Sequence, residues 1–589
     1  MLNPKNAPPE TDEFILERGK RLSESLLWRL QRRFYDFQGT LAWTTGVVPH
    51  YITGNGWIAD AYAKVVLGWL RDCAGTASRE PDSFAPLDLR HPVYIVELGC
   101  GSGRFGFHFF SRLLDLLGRS SLRHVPVRYV MTDFTESVLD PLRRHPMLQP
   151  WIEAGLLDFA RFDAASGLMG ETGEIRLERS GVALSPQILR NPPVVIANYV
   201  FDGIPQDAFA ARGGRLFEML PTLTLPEEET DLDEPTILQR VEVSWEERPA
   251  VEDYYGDPEL DTILREYAKG RKDTALLLPL GAIRCLRHLA KLADGRLLLL
   301  SGDKGYCREE LVDGRGEPGL ALHGSFSMMV DYHALGRWFA HRGGEMLCTT
   351  HLQSSLCVVA GLLGTPPGGT VETRLAFDEA IERRGPDDFF DLKVSLGKPY
   401  DDLTLEHLLA WLRISDWDAN ILLGCWPTLM KHAGSAPGVL RLEIYRAVYA
   451  VWDHYFPIHE LQDLAFHLGV LLCEIECYGD ALPFFHESSA VYGPNPATVF
   501  NIGLCLFHLG DLEEARKQVD QALAEAPDFE PAVELQKEIA GALAAARPRK
   551  KRAKRKLAGL FNDPDMVPAE HLDEELAKCW ADDIERDRG

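Results

Sequence analysis

The feature that most constrains this chain is Glu97-Leu98-Gly99-Cys100-Gly101-Ser102-Gly103-Arg104, which joins an apolar run to a helical one. Val93-Tyr94-Ile95-Val96 ahead of it reads as a strand, and Phe105 to Gly118 behind it carries apolar residues at helical spacing. Glycine at every second position makes a turn whose backbone can lie against a ligand, because any Cβ would collide with it. The start of the following helix offers unpaired N–H groups and a partial positive charge, which suits a carboxylate or a pyrophosphate. The spacing Glu-x-Gly-x-Gly-x-Gly differs from the dinucleotide form Gly-x-Gly-x-x-Gly. A tight strand-to-helix turn with no ligand is the plain alternative.

Later strand candidates add to this. Val127 to Asp133 ends in a carboxylate that can accept two ribose hydroxyls, with Glu136 a second candidate nearby. Phe159 to Ala164 puts Asp163 at the end of a short strand, where an acid can accept an adenine amino group or simply hold a turn. Val194 to Ala197 leads into Asn198, Tyr199 and Asp202, and ligands of open α/β sheets sit beyond the carboxyl ends of strands. Asn191-Pro192-Pro193 comes before that strand, whereas amino-methylating DNA enzymes carry such a tripeptide after it. With Gly295 to Gly302 and Ser354 to Gly364, these runs alternate with helical stretches between Pro92 and Gly364. The expected fold is α/β, Rossmann-like, with a mostly parallel sheet.

At 589 residues the chain exceeds a single core. Residues 1–90 are expected to form a helical cap or lid, with His50, Tyr51 and Trp57 as lid or core aromatics. Residues 91–365 form the α/β domain and 366–400, rich in Gly, Pro and charge, a linker. Residues 401–545 read as helices with an internal repeat: Gly469 and Gly503 are 34 residues apart, as are Ala481 and Ala515, and Ser488 and Ala522. With Pro527 closing a helix, this resembles the tetratricopeptide pattern, an all-α repeat that commonly holds a protein partner. Asp528 to Ala545 is then the capping helix.

The remainder, 546–589, reads as a disordered tail, basic from Arg547 to Lys556 and then acidic. A net charge of −26 argues against general nucleic-acid binding, leaving the basic run as the one candidate contact. The acidic run Pro226 to Pro235 is a solvated loop or an attractant for a basic face. No apolar run is long enough for a membrane span, and no secretory leader is expected from the polar first residues. The cysteines have no metal-ligand spacing, so no metal is expected, and they read as reduced thiols of a cytoplasmic protein.

Taken in order, the motifs resemble the MidA-type family of S-adenosylmethionine-dependent methyltransferases. The likeness runs from about residue 47 to 364 and includes HYITGNGWIADAYAKVVLGWL, ELGCGSGR, IANYVFDGIPQDAF, RGGRLFEML and MMVDYHALGRWFAHRGGEMLC. The resemblance implies a class I methyltransferase domain with S-adenosyl-L-methionine as cofactor. It implies donor contacts from Glu97, Gly99, Gly101, Gly103, Asp133, Asp163 and Asn198, and catalytic roles for Asp202, Asn198 and Tyr199. It also implies methylation of a protein side chain, arginine among the options, and the tetratricopeptide-like repeats are expected to recruit that partner. Two departures stand out. Tyr199 occupies a position where the family carries an acid, and the family's later Asp-Tyr-Gly is altered around Ser301-Gly302-Asp303-Lys304-Gly305-Tyr306. A small-molecule acceptor, or a non-catalytic binding protein on the same scaffold, are the competing readings.

Overall fold

A computed structural model describes residues 14–545 except 49, 76–86, 166–173, 230, 233, 235, 272, 353–354, 365–368 and 397–402. The chain divides into two compact units, Met1–Leu392 and Lys393–Gly589.

The first unit opens with strand β1 (Phe14–Arg18) and helices α1 (Leu26–Gln38), α2 (Leu41–Thr44) and α3 (Gly56–Gly75). Strand β2 (Val93–Leu98) and helix α4 (Arg104–Gly118) flank the glycine turn, followed by β3 (Val127–Asp133), β4 (Leu157–Arg161) and β5 (Val194–Asn198). Next come β6 (Asp207–Arg212), β7 (Arg215–Leu225), β8 (Glu242–Pro249) and β9 (Asp273–Leu278), then β10 (Leu297–Asp303) and the strands Glu345–Cys348 and Cys357–Leu363.

The central sheet has seven strands, in the order Glu345–Cys348, Cys357–Leu363, β10, β5, β2, β3, β4. The pairs β10–β5, β5–β2, β2–β3 and β3–β4 are parallel, and only Cys357–Leu363 runs against its neighbours. Strands β2, β10 and Cys357–Leu363 are buried along their whole length, which is why they read as near-continuous apolar runs without alternation. From β2 the chain winds outward through β3 and β4, then returns to the other side of β2 at β5. That reversal opens a crevice at the carboxyl ends of β2 and β5.

A second, antiparallel sheet is formed by β1 and by four strands that lie in the chain between β5 and β10. Its order is β1-β7-β6-β9, with β8 also on β7. The hairpin read in RGGRLFEML is β6–β7, and its turn glycines Gly213 and Gly214 both have positive φ, a conformation suited to a two-residue hairpin turn. Leu27 and Leu30 of α1 pack on this sheet with Ala208, Met219 and Leu223. The N-terminal region is therefore not all helical, since Phe14–Arg18 adds a strand to β7. Five residues with a bulge between Ile15 and Glu17 carry too little alternation to be seen in sequence.

The expected linker also differs. Within 366–400 lie the helices Val371–Phe377 and Pro386–Leu396, joined by a π-helical turn, Asp378–Glu382. Phe377, Ile381 and Phe389 are buried, and the Asp72 carboxylate of α3 accepts the N–H groups of Glu372 and Thr373 at 3.1 and 2.8 Å. Charge-rich composition concealed these few apolar anchors, and the boundary between the units falls at Leu392.

The second unit is helical from Leu405 to Ala545 among the described residues. Helices Leu464–Glu474, Tyr478–Tyr492, Pro496–His508 and Leu512–Glu525 carry the two repeats, and Glu530–Ala545 follows. A Cβ on Gly469 would lie 2.8 Å from the Phe485 ring, and one on Gly503 2.8 Å from Val519, so both glycines permit the helix pair to close. Ala481, Ala515, Ala522 and Ser488 are buried at the matching positions. Four earlier helices, between Leu405 and His454, have no register legible in sequence. The tail 546–589, with its basic run, lies outside the described residues. No described helix is long and apolar enough to cross a membrane.

Candidate active site

A cavity opens at the carboxyl ends of β2, β3 and β5, at the reversal of strand order. Its lining includes Glu97, Gly99, Gly101, Asp133, Asp163, Asn198, Tyr199, Asp202 and Lys304. The sequence-selected residues therefore converge on one place, with Gly103 just behind it as the cap of α4.

The glycine turn is held by its own geometry. Gly101 has φ +50°, and a Cβ there would meet the Trp43 ring at 3.2 Å. Gly103 has φ +76°, and a Cβ would lie 2.6 Å from Leu142. Neither position accepts an ordinary side chain. Thr132 ties the turn to β3, its hydroxyl donating to Glu97 O at 2.7 Å and its carbonyl accepting from the Cys100 N–H at 2.9 Å.

Glu97 is buried beneath the turn beside Tyr129, and burial pushes its carboxyl up to about 8, against a smaller opposing effect of the Tyr129 hydroxyl. Asp133 is likewise buried and raised to about 6 by that burial, and its Oδ1 accepts the Thr135 N–H at 3.0 Å and the Thr135 hydroxyl at 3.2 Å. Glu136, the second candidate, is exposed, paired with Arg143, and does not line the cavity. Asp163 lies two residues beyond β4. Its carboxylate is engaged by Arg32 of α1 at 2.7 Å and by the Ala165 N–H at 2.9 Å, so it is a turn residue and a cavity wall at once.

The other end of the cavity is built by β5 and β10. Asn198 accepts the Tyr62 hydroxyl on Oδ1 at 2.8 Å, while Nδ2 has no partner among the described residues. Tyr199 is held in the left-handed region at φ +52°, its N–H donating to Gly302 O at 3.0 Å. A bulky residue there is strained, a state that persists only where the surroundings enforce it. Burial, then the nearby Asp202 and Asp303 carboxyls, push its phenol well above the usual value.

Asp202 meets Asp303, which sequence reading did not select. Both are buried, and their carboxyls are hydrogen-bonded to one another. Burial raises Asp202 to about 7 and, with the charge of Asp202, raises Asp303 far higher. Two touching carboxyls cannot both ionise in a dry site, so they share a proton. Asp303 Oδ2 accepts the hydroxyls of Tyr332 at 2.6 Å and Ser301 at 3.2 Å. Asp303-Lys304-Gly305 carries the chain out of β10. Gly305 is required there, because a Cβ would lie 2.5 Å from Val330 O. The position of Asp303 at the end of a strand, like Asp133, is the signal that would have found it.

The lid differs from expectation. His50 lines the cavity, but Trp57 stacks on Phe389 at 4.8 Å and Tyr51 sits near Phe390 at 6.4 Å. Tyr35 and Trp43, stacked at 6.0 Å, take the lid position, with Val48 beside them. Among the described residues no group of His, Cys, Asp and Glu is arranged to hold a metal ion.

Comparison with known proteins identifies a tetratricopeptide repeat at residues 496–529. A search of curated proteins gave no match. Among solved structures the chain is similar to an uncharacterized ACR superfamily protein of Burkholderia thailandensis, with 12% identity and a TM-score of 0.35 over 60% of this chain and 89% of that one. It is also similar to a second member of that superfamily from the same organism, bound to S-adenosyl-homocysteine. The identity there is 14% and the TM-score 0.34, over 55% of this chain and 79% of that one. An O-methyltransferase family protein of Burkholderia thailandensis shows 9% identity and a TM-score of 0.22, over 52% of this chain and 58% of that one.

Proposed function

We propose that the first unit is an S-adenosylmethionine-dependent methyltransferase. The observation that carries this reading is a single cavity at the strand-order reversal, with a glycine turn and two carboxyls at one end and a paired carboxyl site at the other. A seven-stranded sheet with one reversed strand supports it. The residues fit the cofactor: Gly101 lines the cavity with no Cβ, where one would press on the Trp43 ring, and Asn198 Nδ2 is a buried donor with no partner among the described residues. Gly99, Gly101, Gly103 and Glu97 would hold its methionine end, Asp133 its ribose, and Asp163 with Phe162 its adenine. Bound there, S-adenosylmethionine supplies an electrophilic methyl group.

In this reading the chain's own contribution is alignment in a dry site and removal of a proton from the acceptor. Asn198 and Tyr199 position the acceptor, and Asp202 takes its proton, with Asp303 holding the pair in place. The repeat unit recruits a protein partner and so raises the local concentration of substrate. Ten described cysteines without a disulfide support a reducing compartment such as the cytoplasm.

The test is calorimetric titration of the full chain with S-adenosylmethionine and S-adenosylhomocysteine, wild type against Gly101→Val. Micromolar binding that the substitution removes is the expected result. No binding at millimolar ligand overturns the methyltransferase reading in favour of a scaffold protein.

A further inference from the structure

We propose that Cys307 and Cys348 form a peroxide-sensitive thiol pair, which a hydroperoxide oxidises to a reversible disulfide beside the segment that leaves β10. The proposal is independent of the methyltransferase reading and uses none of its residues.

Strand register brings the sulfurs together. Cys348 ends the edge strand Glu345–Cys348 and lies opposite Val359. Cys357 comes two residues before Val359, so side-chain alternation puts Cys348 and Cys357 on the same face of the sheet. Cys307 arrives from another element, directly after the short strand Gly305–Tyr306. Its Sγ lies 3.8 Å from the Thr349 carbonyl oxygen, at the end of that edge strand. There the thiols of Cys348 and Cys357 both donate to the Cys307 sulfur.

Access and charge set two of these three thiols apart. A surface cavity is lined by Cys307, Arg308, Cys348 and Arg374, but not by Cys357, which is 3% exposed. Arg374 is paired with Glu345, whereas Nε of Arg308, 3.8 Å from the Glu310 carboxylate, has no hydrogen-bond partner among the described residues. The two thiol hydrogen bonds, helped by the Arg308 charge, outweigh burial and hold the Cys307 thiol well below its usual value. That favours the nucleophilic thiolate. Cys348 is pushed the other way, first by Cys307 and then by burial, and keeps its proton. Closeness alone does not produce this. Cys473 and Cys505 have sulfurs 3.4 Å apart, yet Cys505 is fully buried, and the Cys473 thiol is pushed up by Cys505, by burial and by Glu474.

The chemistry is a two-electron oxidation. The Cys307 thiolate attacks one peroxide oxygen; an S–O bond forms, the O–O bond breaks, and the leaving oxyanion takes a proton from water. The Cys348 sulfur then attacks Cys307, forming S–S as S–O breaks, and the departing hydroxide leaves as water with the Cys348 proton. In a reducing compartment such a bond is transient and reversed by a thiol reductant. It would tie the edge strand to a point four residues beyond Asp303.

The experiment treats the reduced full chain with stoichiometric hydrogen peroxide, blocks the remaining thiols, and maps oxidised cysteines by peptide mass spectrometry. The expected product in wild type is a single disulfide joining Cys307 to Cys348, removed by dithiothreitol. Cys307→Ser should consume peroxide about tenfold or more slowly. Cys348→Ser should leave a sulfenic acid on Cys307 that dimedone traps, and Cys473→Ser should behave as wild type. Matching melting curves show that the variants fold. Wild type alone already decides the matter. Oxidation first at Cys473 or Cys505, or Cys307 left reduced while other thiols react, overturns the proposal. A bond from Cys307 to Cys357 overturns the choice of Cys348 as its partner.

Discussion

The Tyr62 hydroxyl donates a 2.8 Å hydrogen bond to Oδ1 of Asn198. A helix outside the sheet, α3, thereby fixes which end of a cavity amide is free. Burial, then the charge of Asp303, holds the phenol far above its usual pKa, so it is a donor at every physiological pH. Replacing Tyr62 with Phe should free the amide to rotate. The expected result is a transfer rate lowered about tenfold with donor affinity within about twofold, read by single-turnover kinetics and calorimetry.

The shared proton of Asp202 and Asp303 gives a second prediction. Asp202 is raised to about 7, so it is protonated below that pH and a base above it. Transfer should rise between pH 6 and 8 and level off beyond. Asp202→Asn and Asp303→Asn should each lower it about a hundredfold or more and flatten the profile. The double variant should lose little beyond either single one, because the pair acts as a unit. Full activity in Asp202→Asn removes it from the reaction.

Glu97 predicts a stability effect. Its carboxyl is raised from 4.5 to about 8 by burial, so the folded chain holds a proton there that the unfolded chain releases above pH 4.5. The stabilisation is complete below that value and is lost as pH rises towards 8, at up to roughly 1.4 kcal/mol per pH unit. Melting temperatures of Glu97→Gln should therefore fall less between pH 5 and 8 than those of wild type. Parallel curves for the two proteins would refute the assignment.

The repeats allow a test that leaves the cavity alone. Gly503→Val would drive a side chain into Val519 and the Ala515 carbonyl, already 2.8 and 3.3 Å from a single added Cβ. A loss of about 1–3 kcal/mol in the unfolding of the repeats is expected, with S-adenosylhomocysteine affinity unchanged.

Much of this was legible in sequence for one physical reason. Strands buried on both faces, such as Val93–Leu98 and Leu297–Asp303, are largely apolar runs, and the residues at their carboxyl ends are where a ligand can be reached. Small residues 34 apart likewise exposed the repeats. The reading was poorer where one side chain's role depends on a distant neighbour. The place of Asp303 depends on the pairing of β10 with β5, and that of Trp43 on the close approach of its ring to Gly101, neither of which a local pattern carries. The helices of 371–396 escaped because their anchors are few and set among charges, and Phe14–Arg18 because its partner strand lies some two hundred residues away.

The second sheet, most of whose strands lie between β5 and β10, also separates the two carboxyls of the site along the chain. Asp202 and Asp303 stand roughly one hundred residues apart, and β6 to β9 lie between them in the chain. The glycine turn and Asp133, by contrast, arise from neighbouring strands within one short stretch of chain. A chain ending near residue 200 contains the residues proposed to hold the donor but neither Asp202 nor Asp303. The two halves of the proposed site are thus encoded on opposite sides of an inserted sheet, so the donor half and the acceptor half are separable by truncation.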